Sequence, residues 1–428
     1  MRYNTLMLRA LLLLPLFLLA ACQPPPAANV AGFMLAQRLH SLPSPTVHQP
    51  PGALEGRVLA GDLPLAGAVV LVAERTGQAH TATSDAAGRY RIENIPADDY
   101  VVAAVAPGYV ESALQNVWGG PAPMRVRSGQ TTPAPDLQLS PLQEDMAAPD
   151  PSTLNLRLTA EYTATAPFPA GSAANVRAFA FDRAGVTVDT LRLYLPLDAR
   201  PGDRYPLVLF VAPTAIDDWQ YVSTAFASQG LAVVGISPVV ARGVDADAQA
   251  DDTRAALALA QAGALGPEVG DNRPVALGGS YSSAILARLL RTAGDKLGGW
   301  VSVGGLADAF AGAADFYAGK LQMPPNYALL VPAFGLPNLY PLTFLRYSPV
   351  FVASELPPTL IVHTAADHVL PIEQAYELER AAKAAGVPVE TYYYSDTSHY
   401  LGIGDNLTDA GREMFYKIVE FVKRYGEG

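Results

Sequence analysis

The sequence predicts two folded domains: a small all-β sandwich, then an α/β domain with a mostly parallel sheet and helices on both faces. Short strand-like runs separated by turn residues recur across residues 54–140, which is typical of a sandwich. Nearly continuous apolar runs alternate with helix-like segments across residues 152–428, which is typical of repeated βαβ units. A proline-bearing, acidic stretch at residues 141–151 separates the two patterns and predicts a linker.

Composition excludes several classes of protein. The chain has 428 residues, half of them apolar, and a formal net charge of -11. No cluster of Lys and Arg follows the N-terminus, so we expect no nucleic-acid partner. Cys22 is the single cysteine, which excludes an intramolecular disulfide, a cysteine nucleophile and a cysteine-ligated zinc site in the later domains.

The N-terminal residues predict export. Arg2 and Arg9 precede an apolar run that ends at Ala21 and is shorter than the roughly 18 residues of a membrane-spanning helix. We therefore expect residues 1–21 to be a signal peptide. Its end, Leu-Ala-Ala-Cys22, resembles the lipobox of bacterial lipoproteins. The resemblance implies lipidation of Cys22 and a membrane-anchored protein in the bacterial cell envelope, facing the periplasm or the exterior. The alternative is a plain secretory signal with a chance cysteine.

Proline recurs seven times across residues 22–53, which predicts an extended, semi-rigid tether. The sandwich follows, with its clearest strands predicted at Val69–Val72, Tyr90–Ile92 and Tyr100–Ala106. The Asp85 side chain can accept hydrogen bonds from the amides of its own turn, and Gly88 can adopt the positive φ needed before the next strand.

Several runs in this domain resemble the carboxypeptidase regulatory-like family, whose fold is a transthyretin-like sandwich. They are Gly56-Arg57-Val58, Pro64 to Ala68, Thr83 to Tyr90, and Ile95-Pro96 before Tyr100. Asp98 stands where that family usually has glycine. No catalytic set of residue types is present, so we expect a spacer or a module that binds a cell-envelope ligand.

The α/β domain begins with a predicted hairpin, Val176–Phe181 and Val186–Leu195, and continues with buried strands and helices. Predicted strands follow at Tyr205–Ala212, Leu231–Ile236, Pro274–Gly278, Trp300–Val303, Thr359–His363 and Val389–Tyr394, and predicted helices at Trp219–Gln229, Ala248–Ala262 and Ser283–Thr292.

Ser280 is the candidate nucleophile. It lies in the run Gly278-Gly279-Ser280-Tyr281-Ser282-Ser283, between a predicted strand and a predicted helix. This run resembles the nucleophile elbow of α/β-hydrolases, in which small residues on each side of the serine relieve crowding between strand and helix. The family pattern expects glycine at position 282, where this chain has serine. The alternative is a glycine-rich turn with an N-capping serine.

In the α/β-hydrolases that this run resembles, the acid and the base follow the serine in the chain order Ser, Asp, His. Asp367 follows the strand Thr359–His363, and His399 lies past the end of the strand Val389–Tyr394, where open parallel sheets build sites. Asp367 is therefore the predicted orienting acid and His399 the predicted base. Asp308 is the alternative acid. We expect neither a metal nor a cofactor, since His363 and His368, which flank the acid loop, lack a metal-ligand pattern.

The oxyanion hole in this fold uses the amide after the nucleophile and one amide after the third strand. Tyr281 supplies the first. After the third strand the chain reads Ala212-Pro213-Thr214, and proline has no N–H, so Thr214 is the predicted second donor.

The domain resembles prolyl-oligopeptidase-like and dienelactone-hydrolase-like enzymes over about 250 residues. This implies a serine hydrolase that works through a Ser-Asp-His triad and an acyl-enzyme. An insertion at residues 306–356 is rich in Phe, Tyr, Leu and Pro and predicts an apolar cap over the site, although its aromatic residues could equally form a core of their own. An apolar mouth favours a small ester; a peptidase acting on small peptides and a non-catalytic binding or scaffold lipoprotein are the alternatives. We expect the sandwich to be dispensable for hydrolysis of a small soluble ester.

Overall fold

The structure is a computed structural model that describes residues 49–142, 149–321, 334–395, 399 and 407–426. The predicted signal peptide, Cys22 and most of the predicted tether lie outside these residues. Within the described ranges, helices of the length and apolarity needed to span a bilayer are absent. The predicted fold class is confirmed: a small β-sandwich precedes an α/β domain.

The sandwich consists of short strands arranged in facing sheets. In chain order they are β1 (Gly52–Ala60), β2 (Leu63–Pro64), β3 (Val69–Ala73), β4 (Ala79–Thr83), β5 (Arg89–Ile95), β6 (Asp99–Tyr100), β7 (Ala103–Val105), β8 (Ser112–Ala113), β9 (Met124–Arg125), β10 (Thr131–Pro133) and β11 (Leu137–Gln138). One sheet is built on β1, which pairs with β2, β5, β10 and β11, a second has the order β4-β3-β7-β8, and β6 and β9 form a two-stranded sheet. Side chains such as Leu54, Val70 and Ile92 are fully or almost fully buried between the sheets, and this apolar core holds the domain together.

The turn chemistry of the sandwich follows the sequence. Asp85 accepts hydrogen bonds from the amides of Ala87 and Arg89 at 2.8 Å each, and Gly88 has a φ of +71°, so both predictions are confirmed. Asp98, at the position where the resembling family has glycine, accepts two hydrogen bonds from Arg75 at 2.8 and 2.9 Å. The predicted strand Tyr100–Ala106 is split into β6 and β7, because β6 pairs with β9 whereas β7 pairs with β3.

The second domain contains one long sheet with helices on both faces. Its strands are β12 (Arg157–Ala166), β13 (Ser172–Arg183), β14 (Val186–Pro196), β15 (Leu207–Val211), β16 (Ala232–Ile236), β17 (Val275–Ser280), β18 (Gly299–Gly305), β19 (Thr359–Thr364) and β20 (Val389–Tyr394). Its helices are α1 (Gln220–Ala227), α2 (Ala246–Gln261), α3 (Ser282–Ala293), α4 (Ala309–Tyr317), α5 (Pro341–Arg346), α6 (Glu373–Ala384) and α7 (Asp409–Tyr425).

The strand order is β12-β13-β14-β16-β15-β17-β18-β19-β20. The first three pairings are antiparallel, and every pairing from β16 to β20 is parallel. Helices α1 and α7 cover one face of this sheet, and α2, α3 and α6 cover the other. The carboxyl ends of β15, β17, β18 and β19 therefore share one edge, where open parallel sheets place their sites.

The two domains share one apolar core. Leu71 and Val105 of the sandwich belong to the same buried cluster as the side chains of α3 and α4. Gly77, in the turn between β3 and β4, lies so close to α4 that a Cβ there would be 2.6 Å from the Ala314 nitrogen and 2.7 Å from the Phe310 oxygen. Only glycine fits that contact.

A buried ion network reinforces this interface. The Glu111 side chain, in the sandwich, is 3% exposed and lies 2.8 Å from Arg288, 3.0 Å from Arg346 and 3.7 Å from Arg291. Burial by itself raises the pKa of Glu111, but the nearby guanidinium groups outweigh burial and hold that pKa below its ordinary value. Because Arg288 and Arg291 lie on α3, these ion pairs join the sandwich to the helix that follows Ser280.

Candidate active site

Ser280 lies at a sharp turn between β17 and α3. Its φ is +51°, a left-handed conformation that non-glycine residues rarely adopt and that presents a side chain at the tip of the turn. A Cβ on Gly278 would approach Leu286 and the Ser282 hydroxyl at 2.7 Å each, and a Cβ on Gly279 would collide with the carbonyl oxygen of Val303. Glycine at position 279 is therefore required by the close approach of the β18 backbone, and glycine at position 278 leaves room for the side chains of Leu286 and Ser282.

Ser282, at the position where the resembling family has glycine, fits the turn. Its side chain is fully buried, and its hydroxyl donates to the Gly279 carbonyl oxygen at 2.8 Å while it accepts from the Gly279 amide at 3.0 Å. The extra hydroxyl thus bridges the turn, and the space it needs is left by the missing Cβ of Gly278.

The three predicted triad side chains meet at the edge of the sheet. His399 Nε2 lies 2.9 Å from Ser280 Oγ, and His399 Nδ1 lies 2.7 Å from Asp367 Oδ2. A carboxylate only accepts hydrogen bonds, so in the neutral imidazole Nδ1 carries the proton and Nε2 is free to accept from the serine hydroxyl. This tautomer is the one that a general base requires.

Both carboxylate oxygens of Asp367 accept hydrogen bonds. Its Oδ1 accepts from the amides of Val369 and Leu370 at 2.8 Å each, and its side chain is fully buried. Burial alone would raise the pKa of this carboxyl, but hydrogen bonds from His363, His399 and the Leu370 amide outweigh burial and hold the pKa well below its ordinary value. Asp367 therefore stays ionised while His399 changes protonation state.

His363 is a partner of the acid that sequence reasoning missed. Its Nε2 lies 2.8 Å from the Leu370 carbonyl oxygen and 3.3 Å from Asp367 Oδ2. Because a carbonyl only accepts, Nε2 carries the proton and can share it with the carboxylate. The signal was a histidine near the end of the buried strand that leads into the acid loop; His368, by contrast, is exposed.

Gly304 is a second residue that sequence reasoning missed. It has a φ of +55°, and a Cβ on it would lie 3.2 Å from the His399 carbonyl oxygen and 3.6 Å from Asp367 Oδ2. This glycine allows the end of β18 to pass directly beneath the acid–base pair.

Asp308, the alternative acid, lies in another environment. Its carboxylate caps α4 by accepting hydrogen bonds from the amides of Phe310 and Ala311. The backbone amide of Asp308 donates to the side-chain oxygen of Gln374 at 2.8 Å. Burial raises the pKa of Asp308 although both capping amides lower it. The structure thus gives Asp308 a helix-capping role and pairs Asp367 with His399.

The two predicted oxyanion donors follow the carboxyl ends of the neighbouring strands β15 and β17. Tyr281 directly follows Ser280 and lies at the N-terminus of α3, where the helix dipole favours negative charge. Thr214 follows β15, the strand that pairs with β17, and its hydroxyl accepts from the Trp219 indole at 2.8 Å. That bond fixes the loop on which the second donor is predicted.

An apolar cavity of about 140 Å³ opens beside this site and is lined by Pro213, Gly278 and Gly279 together with side chains of α1 and α7. None of the described residues of the insertion 306–356 lines it. Those residues instead pack between the sandwich and α3: Phe344 is buried in the shared core, and Asn338 bonds to the backbone of Asp99 and Val101. Across the described ranges, no group of three or more His, Cys, Asp or Glu side chains could hold a metal ion.

Comparisons with known proteins agree with this architecture. Residues 53–140 match the model of the carboxypeptidase regulatory-like domain, which confirms the resemblance predicted for residues 54–140. The second domain has the α/β-hydrolase fold: the carboxyl esterase 2 of the fungus Tuber melanosporum is similar to it, with a TM-score of 0.50 and 15% identity over 61% of this chain and 88% of that one.

Two further solved structures are similar at lower scores. The acylaminoacyl peptidase of Pyrococcus horikoshii gives a TM-score of 0.46 and 13% identity over 84% of this chain and 54% of that one. Esterase 2 of Thermogutta terrifontis, phosphonylated by sarin, gives a TM-score of 0.42 and 24% identity over 55% of this chain and 90% of that one. No curated protein sequence matches the chain.

Proposed function

We propose that this protein is a serine hydrolase that cleaves carboxylic esters through Ser280, His399 and Asp367. The observation that carries the proposal is the continuous chain of hydrogen bonds from Ser280 Oγ to Asp367 Oδ2, 2.9 and 2.7 Å long, with Ser280 at a positive φ. A nucleophile, a base in the right tautomer and a buried ionised acid are the parts that acyl transfer needs.

The reaction proceeds in two halves. His399 Nε2 accepts the Ser280 hydroxyl proton as Oγ bonds to the ester carbonyl carbon, and the carbonyl oxygen takes up negative charge near the amides of Tyr281 and Thr214. The carbonyl re-forms, the bond to the alkoxy oxygen breaks, and His399 gives that oxygen its proton. Water then attacks the acyl carbon while His399 accepts its proton; the bond from that carbon to Ser280 Oγ breaks, His399 gives the proton to Oγ, and the carboxylic acid is released.

Labelling with a fluorophosphonate probe tests the proposal, because the probe phosphonylates only an activated serine. The wild-type protein should label and the Ser280→Ala variant should not. Ser283→Ala is the matched control: this neighbouring serine is buried, and its hydroxyl has no hydrogen-bond partner among the described atoms. Labelling that survives Ser280→Ala would reject Ser280 as the nucleophile and point to another serine, whereas no labelling of the folded wild type would favour a binding or scaffold role.

We further propose that the enzyme is anchored in a bacterial cell envelope by lipid on Cys22. The proposal rests on the basic, apolar and small-residue order of residues 1–22, which suits lipoprotein export. Metabolic labelling with a fatty-acid probe tests it, since Cys22→Ser removes the only thiol that could carry the lipid. Equal labelling of wild type and Cys22→Ser would contradict it.

A further inference from the structure

The apolar cavity beside the nucleophile has a defined position in the fold. It lies on the face of the sheet covered by α1 and α7, and its lining includes Phe168, Val222, Ala225 and Met414. Gly278 and Gly279 are also among its lining residues. Since Gly279 is joined to Ser280 by a peptide bond, the cavity begins within one residue of the nucleophile.

The walls of this cavity are already formed. The ring of Phe415 stacks on Phe226 at a centroid distance of 5.0 Å and meets Phe168 edge-on at 5.4 Å, while Phe210 meets Trp219 at 6.0 Å. Aromatic pairs in these arrangements hold one another in place. A preformed cavity with apolar walls favours apolar occupants.

The position of the cavity selects one half of an ester. His399 protonates the leaving alcohol, so the alcohol must lie on the side of β19 and β20. The cavity instead borders the ends of β15, β17 and β18, where its lining includes Pro213, next to the predicted donor Thr214, and no described residue of β19 or β20 lines it. Resting on the proposed function, we propose that the cavity holds the acyl group of the substrate.

The size and polarity of the cavity define the class of acyl group. A cavity of about 150 Å³ takes a benzene ring, and this one measures about 140 Å³. Its described lining contains no charged side chain, and a buried charge without a partner is strongly unfavourable. The substrates are therefore esters of uncharged carboxylic acids with about six acyl carbons or a phenyl ring, and acyl groups that carry an ammonium or a second carboxylate are rejected.

A series of p-nitrophenyl esters from acetate to palmitate tests the assignment on the full folded chain. We expect kcat/KM to rise about fourfold for each methylene up to hexanoate, equivalent to about 0.8 kcal/mol per buried methylene, and to fall for decanoate and palmitate. Benzoate should be cleaved, and the monoester of a dicarboxylic acid should be at least about 100-fold poorer than hexanoate.

Two variants move the optimum in opposite directions. Val222→Phe fills the cavity and should lower kcat/KM for hexanoate at least about tenfold more than for acetate, whereas Met414→Ala enlarges it and should shift the optimum toward octanoate. Val240→Phe is the matched control, because Val240 is 99% exposed on a 3-10 helix and is not among the lining residues, and it should leave the wild-type profile in place.

The outcomes separate the two proposals. A flat chain-length profile that still depends on Ser280, or equal effects of Val222→Phe on acetate and hexanoate, would overturn the acyl pocket and leave the hydrolase standing. Hydrolysis that does not depend on Ser280 would overturn the proposed function itself. If Val222→Phe fails to fold, Met414→Ala decides alone, and an unchanged optimum in that variant counts against the pocket.

Discussion

Replacing Glu111 with glutamine tests whether the sandwich is a structural part of the enzyme. The substitution keeps the shape of the side chain and removes its charge, which faces the guanidinium groups of Arg288, Arg346 and Arg291. Removing one partner of a buried ion pair costs about 3–5 kcal/mol, because the remaining charge stays buried. Arg288 and Arg346 each keep a bond to Asp247, so we expect the lower end, about 3 kcal/mol of unfolding free energy.

Urea denaturation followed by circular dichroism and by tryptophan fluorescence measures this loss, since Trp300 is fully buried in the α/β domain. The control is Glu55→Gln in the same sandwich, because Glu55 and its partner Arg91 are about half exposed and exposed ion pairs contribute little. Equal losses in the two variants would refute the structural role of Glu111. The pKa of Glu111 is lowered on folding, so its contribution is present above the ordinary pKa of 4.5 and is lost as the pH falls through the lower folded value.

Four further outcomes are expected. Asp367→Asn should reduce kcat by about 10⁴, whereas Asp308→Asn should retain both activity and stability, because asparagine caps a helix about as well as aspartate; the reverse pattern in kinetics would move the orienting acid to Asp308. Because the folded pKa of Asp367 is lowered, its ionised form persists below pH 3.8, so log kcat/KM should fall on the acid side with the slope of a single proton; a two-proton slope above that pH would contradict this. His363→Phe should lower kcat with little change in KM, and His363→Gln should restore part of the lost kcat. An unchanged kcat in His363→Phe would show that the Asp367–His399 pair keeps its geometry without His363. Gly77→Ala should make the sandwich susceptible to proteolysis in the folded protein, and unchanged cleavage kinetics would argue against the close contact with α4.

Local signals were sufficient for much of this fold. The apolar runs of β15, β16 and β19 are buried on both faces of the sheet, which is why they could be predicted from sequence alone. Strand β12 was not predicted, because it is an edge strand whose residues are mostly exposed and show no clear alternation. Helix α7 was also not predicted, although Phe415, Ile418 and Val422 recur at the spacing of a buried helical face.

The candidate site divides in the same way. Ser280, Asp367 and His399 could be proposed because each lies at or just beyond the carboxyl end of a strand, a position that chain order and strand prediction reveal. The roles of Gly304 and His363 depend on how neighbouring strands approach the triad in space. No pattern along the chain encodes those distances, so the roles of Gly304 and His363 could be identified only in the folded structure.

The expected dispensability of the sandwich has the same origin. Sequence reasoning located the triad in the later domain and inferred that the earlier one could be removed, because chain order says nothing about which surfaces are buried together. In the structure, deleting residues 52–140 would expose the faces of α3 and α4 that pack on Leu71 and Val105 and would leave Arg288 without Glu111. Since α3 begins two residues after Ser280, losing these contacts would destabilise the helix next to the nucleophile. We therefore expect the truncated chain to be unstable and poorly active even on acetate esters, and a truncated protein with full activity would show that the elbow is rigid without the sandwich.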